Sequence, residues 1–219
     1  MTNEVKKHFD LLFERYPALA PQKESIAEAY EIIADTYRTG GKLLVCGNGG
    51  SAADSEHIVG ELMKSFLVRR PVPEKFLESL SAYGSEGAAL ADGLEAGLPA
   101  ISLCGHPALS TAFLNDAEPT MTFAQQTAAL GREGDVLLAI STSGNSRNCV
   151  LAAITAKAAG MHTVALTGEK SSRLSEIADI TVRAPARETF IVQEYHLPIY
   201  HCLCAMLECE FFGTEKRIH

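Results

Sequence analysis

No stretch of the 219-residue sequence approaches the roughly 18 consecutive apolar residues that a membrane span requires, so no membrane partner is expected. The opening segment, MTNEVKKHFDLLFERY, has the apolar spacing of an amphipathic helix and lacks the apolar stretch and small-residue cleavage site of a secretory leader. A soluble cytoplasmic protein is the expectation. None of the six cysteines (46, 104, 149, 202, 204, 209) forms a CxxC pair, and most sit among apolar residues, which reads as buried reduced thiols instead of a zinc knot or disulfide framework. Basic residues are few and scattered: 19 Lys and Arg against 27 Asp and Glu give a net charge of −8, which argues against direct nucleic-acid binding. An anionic small molecule stays open, because hydroxyls, backbone amides and helix N-termini hold phosphate without a basic patch. Internal repeats and low-complexity stretches are also missing.

What is present is an ordinary globular composition, 47% hydrophobic and 21% charged, at a length that suits one domain over 1–219. Residues 1–40 read as an N-terminal helical extension: Phe9, Leu12 and Phe13, then Ile26, Ala29, Tyr30 and Ile33, recur at helical spacing on either side of a proline-marked break, and Gly40-Gly41 ends the second run. Short apolar runs at 42–46, 98–103, 135–140, 162–167 and 180–182 alternate with helix-length segments, the pattern of a parallel sheet covered on both faces. A last long helix is predicted from Thr189 to Phe212, stopped by Gly213. Residues 72–97 fall out of step and read as an inserted segment with one helix around Glu86 to Leu94.

Ligands of α/β sheets bind beyond the carboxyl ends of the strands, and two such exits here are unusual. Gly47-Asn48-Gly49-Gly50-Ser51 follows the first strand and opens a helix, so backbone amides can approach an anion closely. It is neither a GxGxxG nor a P-loop, since no Lys follows the glycines. Ser141-Thr142-Ser143-Gly144-Asn145-Ser146 follows the third strand. One such loop is as well explained by turn and capping chemistry; two in register point to a charge-neutral phosphate cradle with Ser51, Ser141, Ser143 and Ser146 as donors. His57 and Glu61, spaced i, i+4 one to two turns beyond the first loop, project from one helix face and can share a metal or act as an acid/base pair.

The segments CGNGGSAADSEHIVGEL, GREGDVLLAISTSGNSRN and QEYHLPIYH, in this order and spacing, resemble the sugar isomerase (SIS) domain family, specifically its phosphoheptose isomerase branch. The resemblance implies a three-layer α/β fold: a five-stranded parallel sheet flanked by helices, with N-terminal helices and a long C-terminal helix. It implies an aldose–ketose isomerase working through an enediol, with sedoheptulose 7-phosphate as substrate and D-glycero-D-manno-heptose 7-phosphate as product. By the same likeness Asn48, Gly49, Gly50, Ser51, Asn115, Asp116, Ser141, Thr142, Ser143, Ser146 and Gln193 contact the sugar phosphate. His57, Glu61, Gln193 and His201 bind one Zn²⁺, with Glu61 the catalytic base and His201 the catalytic acid. Family members self-associate as homodimers or homotetramers with sites at subunit interfaces.

Helix geometry makes one part of that set awkward. Eight residues of straight helix rise about 12 Å and turn by about 80°, so Gln193 and His201 do not easily reach one ion together. Either Gln193 precedes the regular helix, with Pro198 breaking it, or one ligand comes from a neighbouring chain. Ser65, where relatives often carry Arg, and the strand exit Cys104-Gly105-His106 depart from the family pattern and bear on substrate identity; His106 is a candidate contact and His196 reads as a core histidine. The rival is a non-catalytic SIS protein, a sugar-phosphate sensor or an adaptor of the DnaA replication initiator, and the complete His57, Glu61, Gln193 and His201 set favours the enzyme.

Overall fold

The structure, a computed structural model, describes residues 1–213, so 214–219 of the single domain expected over 1–219 lie outside the described residues. Five strands, β1 (Leu43–Cys46), β2 (Ala100–Ser102), β3 (Val136–Ile140), β4 (His162–Thr167) and β5 (Ile180–Arg183), form one parallel sheet in the order β2-β1-β3-β4-β5. Side chains alternate across the pleat. Leu43, Val45, Val136, Leu138, Ile140, Val164 and Leu166 therefore enter one core, and Leu44, Cys46, Leu137, Ala139 and Ala165 enter the other. With both faces covered, β1 and β3 have no polar position to spare, which is why they read as unbroken apolar runs.

Helices α1 (Asn3–Arg15), α2 (Lys23–Arg38), α3 (Gly50–Met63) and α10 (Thr189–Phe212) supply the first core. A 3₁₀ segment, Pro17–Gln22, joins α1 to α2. The opposite face is covered by α7 (Thr122–Leu130), α8 (Arg147–Ala158) and α9 (Arg173–Ile177). The register pairs Val45 with Leu138 and Cys46 with Ala139, so β1 and β3 end side by side and their exit loops emerge as neighbours. All six cysteines are free thiols; only Cys104 is more than marginally exposed.

Two predicted elements differ. The second strand, expected over 98–103, is confined to Ala100–Ser102: Leu98 donates its N–H to Leu62 at the end of α3, and Pro99 has no N–H for the ladder. The segment 72–97 holds two helices, α4 (Glu74–Ser81) and α5 (Gly84–Gly93), instead of one. They bury little beyond Leu80 and Gly87, although Phe76, Leu77 and Leu80 recur at helical spacing in the first of them. α6 (Pro107–Asp116) completes the set and buries none of its residues.

Candidate active site

The exit loop of β1 and the start of α3 form one end of the site. Gly49 takes φ +57° and offers the α3 N-terminus no side-chain cap; the Ser51 N–H donates to the Asn48 carbonyl and those of Ala52 and Ala53 to the Gly49 carbonyl. A Cβ on Gly50 would lie 2.4 Å from Gln193 Nε2, so the amide of Gln193 packs directly on the glycine backbone. Ser51 is buried in the first turn.

The serine loop after β3 is tied down from within. Ser141 N–H donates to Leu166, the Ser141 and Ser146 hydroxyls meet at 3.0 Å, Asn145 N–H donates to Ser143 Oγ at 3.1 Å, and Asn145 Oδ1 accepts from Arg173 N–H. Gly144, at φ +64°, would drive a Cβ to 2.0 Å from Ser172 Oγ. α8 also starts without a side-chain cap. The two loops are joined by Asn48 and Asn148, whose side-chain amides exchange two hydrogen bonds of 3.0 and 2.7 Å. Sequence reasoning assigned Asn48 to substrate and missed Asn148; the only sequence signal was an amide two residues beyond Ser146. Beside the serine loop a cleft of about 240 Å³ is lined by Thr142, Ser143, Asn145, Gly168 and Lys170. Lys170, from the β4 exit, is a cation that sequence reasoning did not place there.

Five residues from α3 and α10 make the reactive cluster. His57 Nε2 lies 3.1 Å from Glu61 Oε1 and 3.4 Å from His201 Nε2. On its other side His57 Nδ1 is 3.1 Å from the buried Tyr200 hydroxyl, which donates to Asp54 Oδ1 at 3.2 Å. With that hydroxyl proton directed to Asp54, a proton on His57 Nδ1 can donate to the hydroxyl oxygen, the tautomer in which Nε2 offers a lone pair to a cation. Three Lewis-basic atoms thus converge, an arrangement that calls for a shared proton or a cation. Burial, reinforced by the nearby His57, lowers the pKa of His201 against the opposing pull of Glu61, and burial raises that of Asp54 although Tyr200 and His57 oppose it. Tyr200 and Asp54 were not singled out from sequence, because a tyrosine in an apolar helix and an aspartate in a polar one carry no local mark.

Among the described residues no group of three His, Cys, Asp or Glu is arranged as a ready metal cage. The donor chemistry nonetheless suits zinc, and the separations of 3.1 and 3.4 Å around His57 are close to the edge of a tetrahedron with bonds of ~2.0 to 2.1 Å, about 3.3 Å. Gln193 stands apart from this cluster, against Gly50. Of the two alternatives for Gln193, the one that places it before the regular helix is overturned: α10 runs unbroken from Thr189 to Phe212 with Pro198 inside it. Its extensive burial supplies the packing that outweighs the missing backbone donor. Asn115 and Asp116 lie exposed at the end of α6, where the Asn115 amide donates to Asp116, and no hydrogen bond among the described residues links them to either loop. His106 Nδ1 meets Oε1 of the buried Gln126 at 2.7 Å, and His196 is wholly buried with Nε2 on the Thr167 carbonyl.

A parallel sheet with a glycine loop and a serine loop at adjacent strand ends defines the class, and the SIS domain models match residues 14–95 and 108–207. A phosphoheptose isomerase of Akkermansia muciniphila is 32% identical over 213 residues, covering 97% of this chain and 100% of the relative; one of Geotalea daltonii is 38% identical over 214 residues, covering 98% and 97%. The solved phosphoheptose isomerase of Francisella tularensis superposes with a TM-score of 0.72 at 31% identity, over 94% of this chain and 98% of that one. The chain belongs to the phosphoheptose isomerase family of SIS-domain proteins.

Proposed function

We propose that the protein interconverts sedoheptulose 7-phosphate and D-glycero-D-manno-heptose 7-phosphate. The observation that carries this reading is the convergence of His57, Glu61 and His201 beside two neutral, amide-rich loops. The loops hold the phosphate through backbone amides and the Ser51, Ser141, Ser143 and Ser146 hydroxyls, leaving the far end of the sugar to the cluster. Glu61 takes a proton from C1 of the ketose, giving the 1,2-enediol, and a proton returned to C2 gives the aldose. A neutral imidazole carries one donor and one acceptor, which equips His201 to hand a proton to an enediolate oxygen. Burial favours the neutral form of His201.

Zn²⁺ is part of the proposal: His57, Glu61 and His201 would hold it, and because α10 is unbroken between Gln193 and His201, a Gln193 donor would come from a second copy of the chain. Bound there, it supplies Lewis-acid polarisation of a substrate oxygen. Self-association as a homodimer or homotetramer belongs to the same reading. Its support, besides the family likeness, is an open groove of about 350 Å³ between α1 and α10, lined by Leu11, Phe66, Leu197 and Cys202 with His201 at its edge. A second copy of the chain covering it would complete the site.

The test is direct. Purified protein loaded with zinc and given sedoheptulose 7-phosphate is expected to yield the aldose phosphate, and light scattering is expected to give the mass of an oligomer. Inactivity toward every ketose phosphate tried, with binding retained, would replace the isomerase by a sugar-phosphate sensor.

A further inference from the structure

Away from the reacting groups, the only fully buried guanidinium among the described residues meets a buried carboxylate. Arg70 is 0% and Glu208 1% exposed, and Arg70 Nε donates to Glu208 Oε1 at 2.7 Å. Glu208 also accepts the backbone N–H groups of Phe66, Leu67 and Val68, at 2.7, 2.7 and 3.2 Å. Arg70 spends its other two nitrogens on the end of α3: Nη1 donates to the Leu62 carbonyl at 2.6 Å and Nη2 to the Glu61 carbonyl at 2.7 Å. Those last-turn carbonyls have no partner within their own helix. The guanidinium also lies 4.9 Å from the Phe212 ring centroid.

Desolvating two charges is expensive, and a buried ion pair is commonly no more stabilising than apolar side chains of the same volume. Its contacts indicate what else it does. One arm ends on the backbone of Glu61. The other orders the Phe66 amide, and the Phe66 ring packs on His201 with centroids 5.5 Å apart. Glu208 itself is two helical turns beyond His201 on α10. We propose that Arg70 and Glu208 are positioning residues that fix Glu61 on α3 and His201 on α10 relative to one another. The proposal rests on the isomerase reading and deepens it.

Arg70→Lys keeps the charge and loses the planar fork, so one ammonium cannot serve Glu208 and both carbonyls together. It is expected to fold, to bind the sugar phosphate within about twofold of wild type by calorimetry, and to lose kcat ~10- to 100-fold with KM nearly unchanged, because misplacement falls at the reacting carbon and not at the phosphate. Arg70→Met is expected to lose more, so that Lys partly rescues it. Phe66→Leu leaves the ion pair intact and keeps the proposal falsifiable where the Arg70 variants do not fold; a kcat reduced ~3- to 10-fold at unchanged affinity is expected. Wild-type kcat in folded Arg70→Lys or in Phe66→Leu, or a kcat that falls only in step with sugar-phosphate affinity, would overturn the positioning role alone. A wild type without turnover overturns the isomerase reading itself, and this one with it.

Discussion

Asn48 and Asn148, a hundred residues apart in the chain, face each other with both amides in register and clasp the glycine loop to the serine loop. Both are partly exposed, and a neutral hydrogen bond contributes about 0.5 to 1.5 kcal/mol, so the low end applies to each. Asn148→Ala is expected to weaken sugar-phosphate binding ~5- to 10-fold in calorimetry, through loop separation and without loss of fold. Unchanged affinity would show that the loops hold their spacing without the clasp.

The hydroxyls themselves are the second point of attack. Ser51→Ala with Ser143→Ala removes two donors aimed at an anion, each costing on the order of 0.5 to 1.5 kcal/mol, or more where a phosphate oxygen is left unpaired. Binding of ketose phosphate should fall ~10-fold or more while thermal stability moves little. Retained affinity in the double variant would dismiss the cradle.

Glu61→Gln separates binding from chemistry. An amide cannot accept the carbon-bound proton, so turnover should vanish while calorimetric affinity for the sugar phosphate persists. Full turnover by the folded variant would refute the assignment of the base.

Acid stability should report His196. Its ring is buried, Nδ1 has no hydrogen-bond partner among the described residues, and desolvation lowers its pKa from 6.5 to about 4, opposed only by the Thr167 carbonyl. The unfolded chain takes up a proton near pH 6.5 and the folded chain does not, so stability falls as pH drops from about 6.5 towards 4, by at most about 3 kcal/mol. Above pH 7 the residue is neutral in both states and contributes no slope. Urea unfolding at pH 7 and pH 4.5 should show this loss in wild type and a smaller one in His196→Leu, whose Thr167 carbonyl keeps its bond from Ala184 N–H. Equal losses would assign the acid sensitivity to other groups.

Much of this was legible in the sequence by itself. The apolar runs fixed the strands of a sheet buried on both faces, and Thr189 to Phe212 is predicted and observed as one helix, because Gly213 at φ +80° supplies a strong stop. His57 and Glu61 share a helix face by spacing alone. The loops were marked by glycine and serine, which few other local structures require in such density. Tertiary structure alone decided the rest. Asn148, Tyr200, Asp54, Arg70 and Glu208 act through partners 100 or more residues distant in most cases, and no local pattern encodes a contact that only tertiary packing creates. The place of Gln193 against Gly50 was likewise unreadable, since it depends on how α10 crosses the start of α3 and not on the spacing from His201.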